Sequence, residues 1–190
     1  MKRAALFLVL LVTGFLSARA QEYRHEINLS KGFLPRVLQE IDRQPALTGD
    51  LASIYEPRIQ AKGGPLTGVD YAYAVLPWLK VGGSLDYTWL EGSVRELFRG
   101  VVVNQFKRHY FYLMPQAKLF ALDLPHFKIY GKAAAGMECI LGDASVSPVN
   151  FAWQVTPLGL QWAGQRVYGS MEATYGNVLW GIRLGVGFRF

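Results

Sequence analysis

The sequence predicts an all-β chain that closes as an eight-stranded antiparallel up-and-down transmembrane β-barrel. Three observations carry this expectation. Within residues 178–190 the chain alternates strictly from Trp180 onward: Trp180, Ile182, Leu184, Val186, Phe188 and Phe190 are apolar, while Gly181, Arg183, Gly185, Gly187 and Arg189 are small or cationic. Seven earlier segments repeat this two-residue period, which in a strand sends one set of side chains to each face. The connections between them alternate between long and tight, the layout of a barrel with loops on one side and turns on the other.

Hydrophobic residues make up 51% of the 190-residue chain and glycine supplies 20 positions, so a packed fold is expected rather than a disordered one. The apolar residues are nonetheless dispersed. After the first 20 residues no stretch approaches the roughly 20 apolar residues that a spanning helix requires. The opening stretch itself reads as a signal peptide. Lys2 and Arg3 precede an apolar run from Ala4 to Leu16, and Ala18-Arg19-Ala20 forms a small-x-small cleavage site. An uncleaved anchor helix is the alternative, weakened by the shortness of the apolar run. The expected organisation is a signal peptide over residues 1–20 and a barrel over residues 21–190. Loss of Lys2, Arg3 and Arg19 lowers the formal net charge from +6 to +3. The basic residues form no stripe, so nucleic acid is not an expected partner. The one cysteine, Cys139, has no partner for an internal disulfide.

The segments follow in order. Tyr23, His25, Ile27 and Leu29 share one face of a first strand, with Arg24, Glu26, Asn28 and Ser30 on the other. Residues 31–64 lose the alternation. Within them residues 35–43 suggest two helical turns beginning near Pro35, and Lys62-Gly63-Gly64-Pro65 is turn chemistry. A second strand covers 66–76 and a third 79–90, separated by Pro77-Trp78. Residues 91–103 read as a connection. The fourth strand, 104–122, contains Pro115, for which a bulge or bend is expected because proline cannot donate to the ladder. The fifth covers 127–141 and the sixth 151–162, whose register blurs after Pro157. The seventh covers 166–176, and a brief turn at Asn177 leads into the eighth.

The bulky apolar parity carries aromatics near strand ends, among them Trp78, Trp89, Phe127, Trp153, Trp180 and Phe190, as expected of two interfacial girdles. A soluble sandwich or lipocalin-like barrel would bury those aromatics in a core instead. The opposite parity carries Glu26, Asp70, Lys80, Asp86, Lys118, Lys132, Glu138, Glu172, Arg183 and Arg189, with Arg24 and Lys128 at its ends. An eight-stranded barrel is only wide enough for side chains to fill it, so these charges must pair. A turn between Asn177 and Val178 sets Glu172 opposite Arg183, and this is the ion pair expected across the lumen.

Catalytic and metal patterns are weak. His25, His109 and His126 fall in three separate places, and no metal-binding, phosphate-loop or nucleophile motif occurs. No cofactor and no enzymatic activity are expected.

Gly185-Val186-Gly187-Phe188-Arg189-Phe190 resembles the closing strand of the small outer-membrane barrels of the OmpX/OmpA-like group. The resemblance implies a monomeric outer-membrane protein of a Gram-negative bacterium with a structural, adhesive or surface-interaction role. It also implies partners: outer-membrane lipid and lipopolysaccharide around the barrel, and the barrel-assembly machinery, for which Phe188 and Phe190 are the signal. Alternatives are a barrel that hydrolyses lipid A acyl chains, which needs a His and a Ser on neighbouring strands, and a narrow channel.

Overall fold

The computed structural model describes residues 23–36, 58–95, 102–124, 126–142, 149–163 and 166–190. The expected signal peptide and almost all of the helix expected at residues 35–43 lie outside them. Nine strands are formed: β1 His25–Gly32, β2 Arg58–Gly63, β3 Leu66–Leu76, β4 Leu79–Arg95, β5 Val102–Asp123, β6 Phe127–Leu141, β7 Val149–Ala163, β8 Val167–Gly176 and β9 Gly181–Arg189.

They make eight staves. β2 and β3 both pair antiparallel with β4, β2 from Arg58↔Arg95 to Gly63↔Leu90 and β3 from Thr67↔Tyr87 downward. The expected turn at Lys62-Gly63-Gly64-Pro65 is therefore a break within one stave. Gly64 still bonds through its N–H to the Trp89 carbonyl at 2.9 Å, and Pro65 has no N–H to give. The remaining strands pair with their sequence neighbours. β1 and β9 close the cylinder antiparallel, from Glu26↔Arg189 to Gly32↔Arg183. Closure leaves no edge along the body of the barrel, and this removes the usual liability of a sheet.

The wall sorts its side chains as the alternation demands, with the polarity of a soluble protein inverted. Glu26, Asp70, Lys80, Asp86, Lys118, Lys132, Glu172 and Arg183 are each at most 3% exposed. Leu29, Leu85, Leu113, Phe151 and Val186 are each at least 51% exposed. Inward glycines make room for bulky lumen groups. A Cβ at Gly187 would strike the Tyr168 ring, and one at Gly159 would strike the Tyr130 ring.

Two local expectations are corrected. Pro115 causes no bulge: β4 runs in unbroken register through Gly83↔Pro115, and pairing with β6 resumes in the same register at Gln116↔Ala134 after Leu113↔Met137. A missing N–H deletes a ladder bond without inserting a residue. The irregularity expected after Pro157 is present: the β7–β8 register shifts between Val155 and Leu158, and both Pro157 and Leu158 face outward. Residues 91–95 and 102–103 are ladder, not connection, with Glu91↔Lys107 and Ser93↔Gln105 in register. Backbone pairing there needs no apolar alternation, so the sequence pattern that marks the rest of the wall is missing.

Candidate functional site

Three regions can carry chemistry: the lumen and the two rims. The lower rim is where β1 begins and β9 ends. The upper rim is the opposite mouth.

Near the lower rim, the Glu26 carboxylate lies between two ammonium groups, accepting from Lys80 Nζ at 2.7 Å and from Lys118 Nζ at 2.8 Å. Lys80 and Lys118 are direct register partners on β4 and β5, so Glu26 on β1 separates two like charges. Lys80 also stands 5.1 Å from the Phe120 ring centroid and Lys118 5.5 Å from that of Tyr130. Arg189 donates to Gln161 Oε1 at 2.8 Å and covers the Tyr168 ring.

The middle of the lumen holds a second network. Register sets Glu172 opposite Arg183, as expected. Their charged ends go elsewhere, so the expected ion pair is corrected. Glu172 accepts from Lys132 Nζ at 2.5 Å and from the Tyr130 hydroxyl at 2.6 Å. Arg183 reaches across to Asp86 at 3.0 Å and Asp70 at 3.9 Å, and donates to Gln154 Oε1 at 3.3 Å. Long side chains in a narrow cylinder meet partners across the bore as readily as along the wall. Register alone could not supply those partners. Asn28 ties the layers together, donating to Asp70 at 3.3 Å and accepting from the Ser170 hydroxyl at 3.3 Å.

Above these charges the bore is stoppered by apolar groups. Leu66, Leu90, Tyr110, Ile140, Val178 and Leu179 are buried together. Val178 and Leu179 come from the β8–β9 connection, although their apolar character suggests the start of the last strand. Their backbone is held by β1's continuation, with Arg36 N–H on the Val178 carbonyl at 3.3 Å and Pro35 bridged to Leu179. Asn177 stabilises the turn, accepting from the Trp153 N–H and donating to the Phe151 carbonyl, both at 2.7 Å.

On the outer face, aromatic groups gather at both rims. Upper contacts include Trp153–Tyr175 and Tyr175–Trp180, each at 5.7 Å, and Tyr87–Phe111 at 5.0 Å. At the lower rim Phe190 stacks on His25 at 5.4 Å and lies 6.2 Å from Phe188. Phe188 and Phe190 are 45% and 49% exposed, so both present their rings outward. His25 bonds to the Tyr71 hydroxyl and His109 to the Tyr87 hydroxyl, each at 2.8 Å, while His126 is exposed in a turn. Among the described residues, no three His, Cys, Asp or Glu side chains converge as a metal site.

Beyond the upper aromatic ring the β4–β5 hairpin and β2 continue upward. Lys107 donates to Glu91 at 2.6 Å, and this hydrogen bond holds the Glu91 carboxyl below the ordinary carboxylate range. An open cleft of about 660 Å³ lies here, lined by Lys62, Glu91, Ser93, Gln105 and Lys107 among others. Comparison of the chain with protein-family models and with curated proteins returns no match.

Proposed function

We propose that this protein is an integral outer-membrane β-barrel of a Gram-negative bacterium, akin to the small OmpX/OmpA-like barrels, acting in a structural, adhesive or surface-interaction role. The observation that carries the reading is the inverted wall: apolar side chains outside, charged side chains inside, and an aromatic ring at each end. The spacing of the rings supports it. From Trp78 to Trp89 the chain advances about 37 Å, which at a strand tilt of about 40° is about 28 Å along the axis. From Trp180 to Phe190 the same arithmetic gives about 26 Å. Both match an apolar band about 25 Å tall flanked by girdles.

In this reading the signal peptide exports the chain, the lower rim lies in the periplasm, and the assembly machinery engages Phe188 and Phe190. The filled bore and its apolar stopper favour a static wall over a conducting channel. The histidines on the outer face are tied to tyrosine hydroxyls and not to a serine, which weighs against the acyl-hydrolase alternative.

Cell fractionation with gel migration of unheated and heated, detergent-extracted protein tests the proposal. The expected result is a heat-modifiable band in the outer-membrane fraction. A freely soluble periplasmic protein would overturn it, and an altered lipid A acyl pattern in expressing cells would restore the enzyme.

A further inference from the structure

The lower end of the bore holds more positive charge than its carboxylate answers. Lys80, Lys118 and Arg189 are buried there alongside Glu26, each at most 7% exposed. The layer above sets Lys132 and Arg183 against Asp70, Asp86 and Glu172. Five buried cations and four buried carboxylates leave one positive charge in excess among the described residues. Glu138 does not offset it at the lower end. It stands six residues up β6 from Lys132, about 15 Å along the axis, and accepts from Asn150 at 3.2 Å.

The excess settles on Arg189, the last residue of β9. Glu26 is its register partner on β1, but that carboxylate is held by the two lysines. Arg189 instead donates through Nη2 to Gln161 Oε1 at 2.8 Å and lays its guanidinium 4.5 Å over the Tyr168 ring. Both partners are neutral. Donors are also left over. Arg189 Nε, Gln161 Nε2 and the Tyr168 hydroxyl are each buried without an acceptor among the described residues. The Gln161 amide has spent its oxygen on the guanidinium, so the end that remains carries only N–H groups. Three side chains in direct contact thus each offer a buried hydrogen, and none of them is negative. A buried donor left unmade is costly, and a buried cation without a counter-charge more so. A water would accept the hydrogens but leave the charge; an anion answers both.

We propose that the lower end of the bore binds one small monovalent anion, of the size of chloride, held by Arg189 with Gln161 and Tyr168. The lower rim supplies the way in. Arg24 and Arg166 are exposed there, donating to the hydroxyls of Tyr73 and Tyr23, while Asp123 is neutralised by Lys128 at 2.5 Å. Such a mouth draws anions and repels cations. The apolar stopper closes the other end, so the site is a blind end and not a passage. Room is short: Tyr168 lies so close over the backbone of β9 that only glycine fits at position 187. A bare ion suits that space and an organic acid does not. The proposal depends on the closed barrel alone and not on its place in a membrane, so either reading can fail without the other.

The test uses the full mature chain folded in detergent micelles, where both mouths meet the buffer. It is unfolded with urea at constant ionic strength while sodium chloride replaces sodium gluconate, whose anion is too bulky for the bore. Raising chloride from about 5 mM to about 500 mM should raise the wild-type midpoint by about 0.5–1 M urea, as for a ligand that binds only the folded state. R189Q should flatten that dependence. K128Q removes a rim cation but leaves the three donors in place, and should keep it. Wild-type crystals grown in bromide should show an anomalous-scattering peak against Arg189, which reads the site without any variant. A wild-type midpoint that ignores chloride overturns the inference, as does an equal shift in R189Q. Bromide found only at Arg24 or Arg166 overturns it too, because that is attraction to the rim and nothing more.

Discussion

Replacing Glu26 with glutamine puts the logic of the lumen to its sharpest test. The Glu26 carboxylate is 1% exposed and receives both Lys80 and Lys118, at 2.7 Å and 2.8 Å. The amide fills the same space but carries no charge. Two ammonium groups that face each other across β4 and β5 then share a buried layer without the carboxylate that bridges them. Removing one partner of a buried pair costs about 3–5 kcal/mol, and here two cations are stranded, so the upper part of that range applies. Lys118→Met alone should cost less, about 1–2 kcal/mol, because Lys80 and Glu26 remain as a balanced pair. Adding Lys118→Met to Glu26→Gln should recover a good part of the loss, since it removes one of the stranded charges.

The assay is urea unfolding of the barrel folded into phospholipid vesicles, followed by tryptophan fluorescence and by gel migration. With a slope of about 2 kcal/mol per molar urea, Glu26→Gln should lower the midpoint by about 2–2.5 M. A midpoint within about 0.5 M of wild type would refute the reasoning. So would a double variant less stable than Glu26→Gln alone, because then the lysines are not what the carboxylate is there to neutralise.

Three further outcomes are expected. A double-mutant cycle between Glu172 and Lys132 should give a coupling of about 1.5–3 kcal/mol, while the cycle between Glu172 and Arg183 gives under about 1 kcal/mol, both read by the same urea titration. Leu179→Ala should cost about 2–4 kcal/mol through the cavity it leaves in the stopper. It should still give no single-channel current in planar bilayers, because the charged layers below remain in place. Deleting Phe190 should leave spontaneous folding into vesicles nearly unchanged but reduce the folded, heat-modifiable fraction in cells several-fold, as measured by blotting of unheated samples.

Much of the fold was legible because a strand has a period of two, and this wall enforces that period with unusual contrast. Leu85 and Asp86 are neighbours in the chain, yet one is 51% exposed and the other fully buried. The same regularity made the opposition of Glu172 and Arg183 readable, since register depends only on where a hairpin turns. What could not be read were the contacts that depend on the bore. Glu26 on β1 meets Lys118 on β5, and Arg183 on β9 meets Asp86 on β4. Neither contact joins strands that are hydrogen-bonded to each other, so no pairing rule contains it. The centre of that turn was legible, but not its length. Val178 and Leu179 look like the apolar start of a strand, and only the cramped upper mouth gives them a reason to fold inward. The extension of β4 and β5 was missed for the opposite reason, because it stands above the apolar belt and its faces no longer contrast.

The charges of the lumen also bear on where interaction can occur. Glu26, Asp70, Asp86 and Glu172 face Lys80, Lys118, Lys132 and Arg183: four buried carboxylates and four buried cations, all at most 3% exposed. These eight balance, Arg189 at the lower end adds a fifth buried cation held by Gln161 and the Tyr168 ring, and the layer is stable only while each charge keeps its partners. A ligand, an ion stream or a moving proton among the eight would have to break pairs worth several kcal/mol apiece. The staves gain their stability from closed backbone pairing, which leaves each a partner on both sides. The eight fix the shape of the cylinder and are poorly suited to anything else. A group that takes something from its surroundings is therefore to be sought where a charge is in excess and donors are unspent. Among the described residues, Arg189 with Gln161 and Tyr168 meets both conditions, at the end of the bore opposite the apolar stopper.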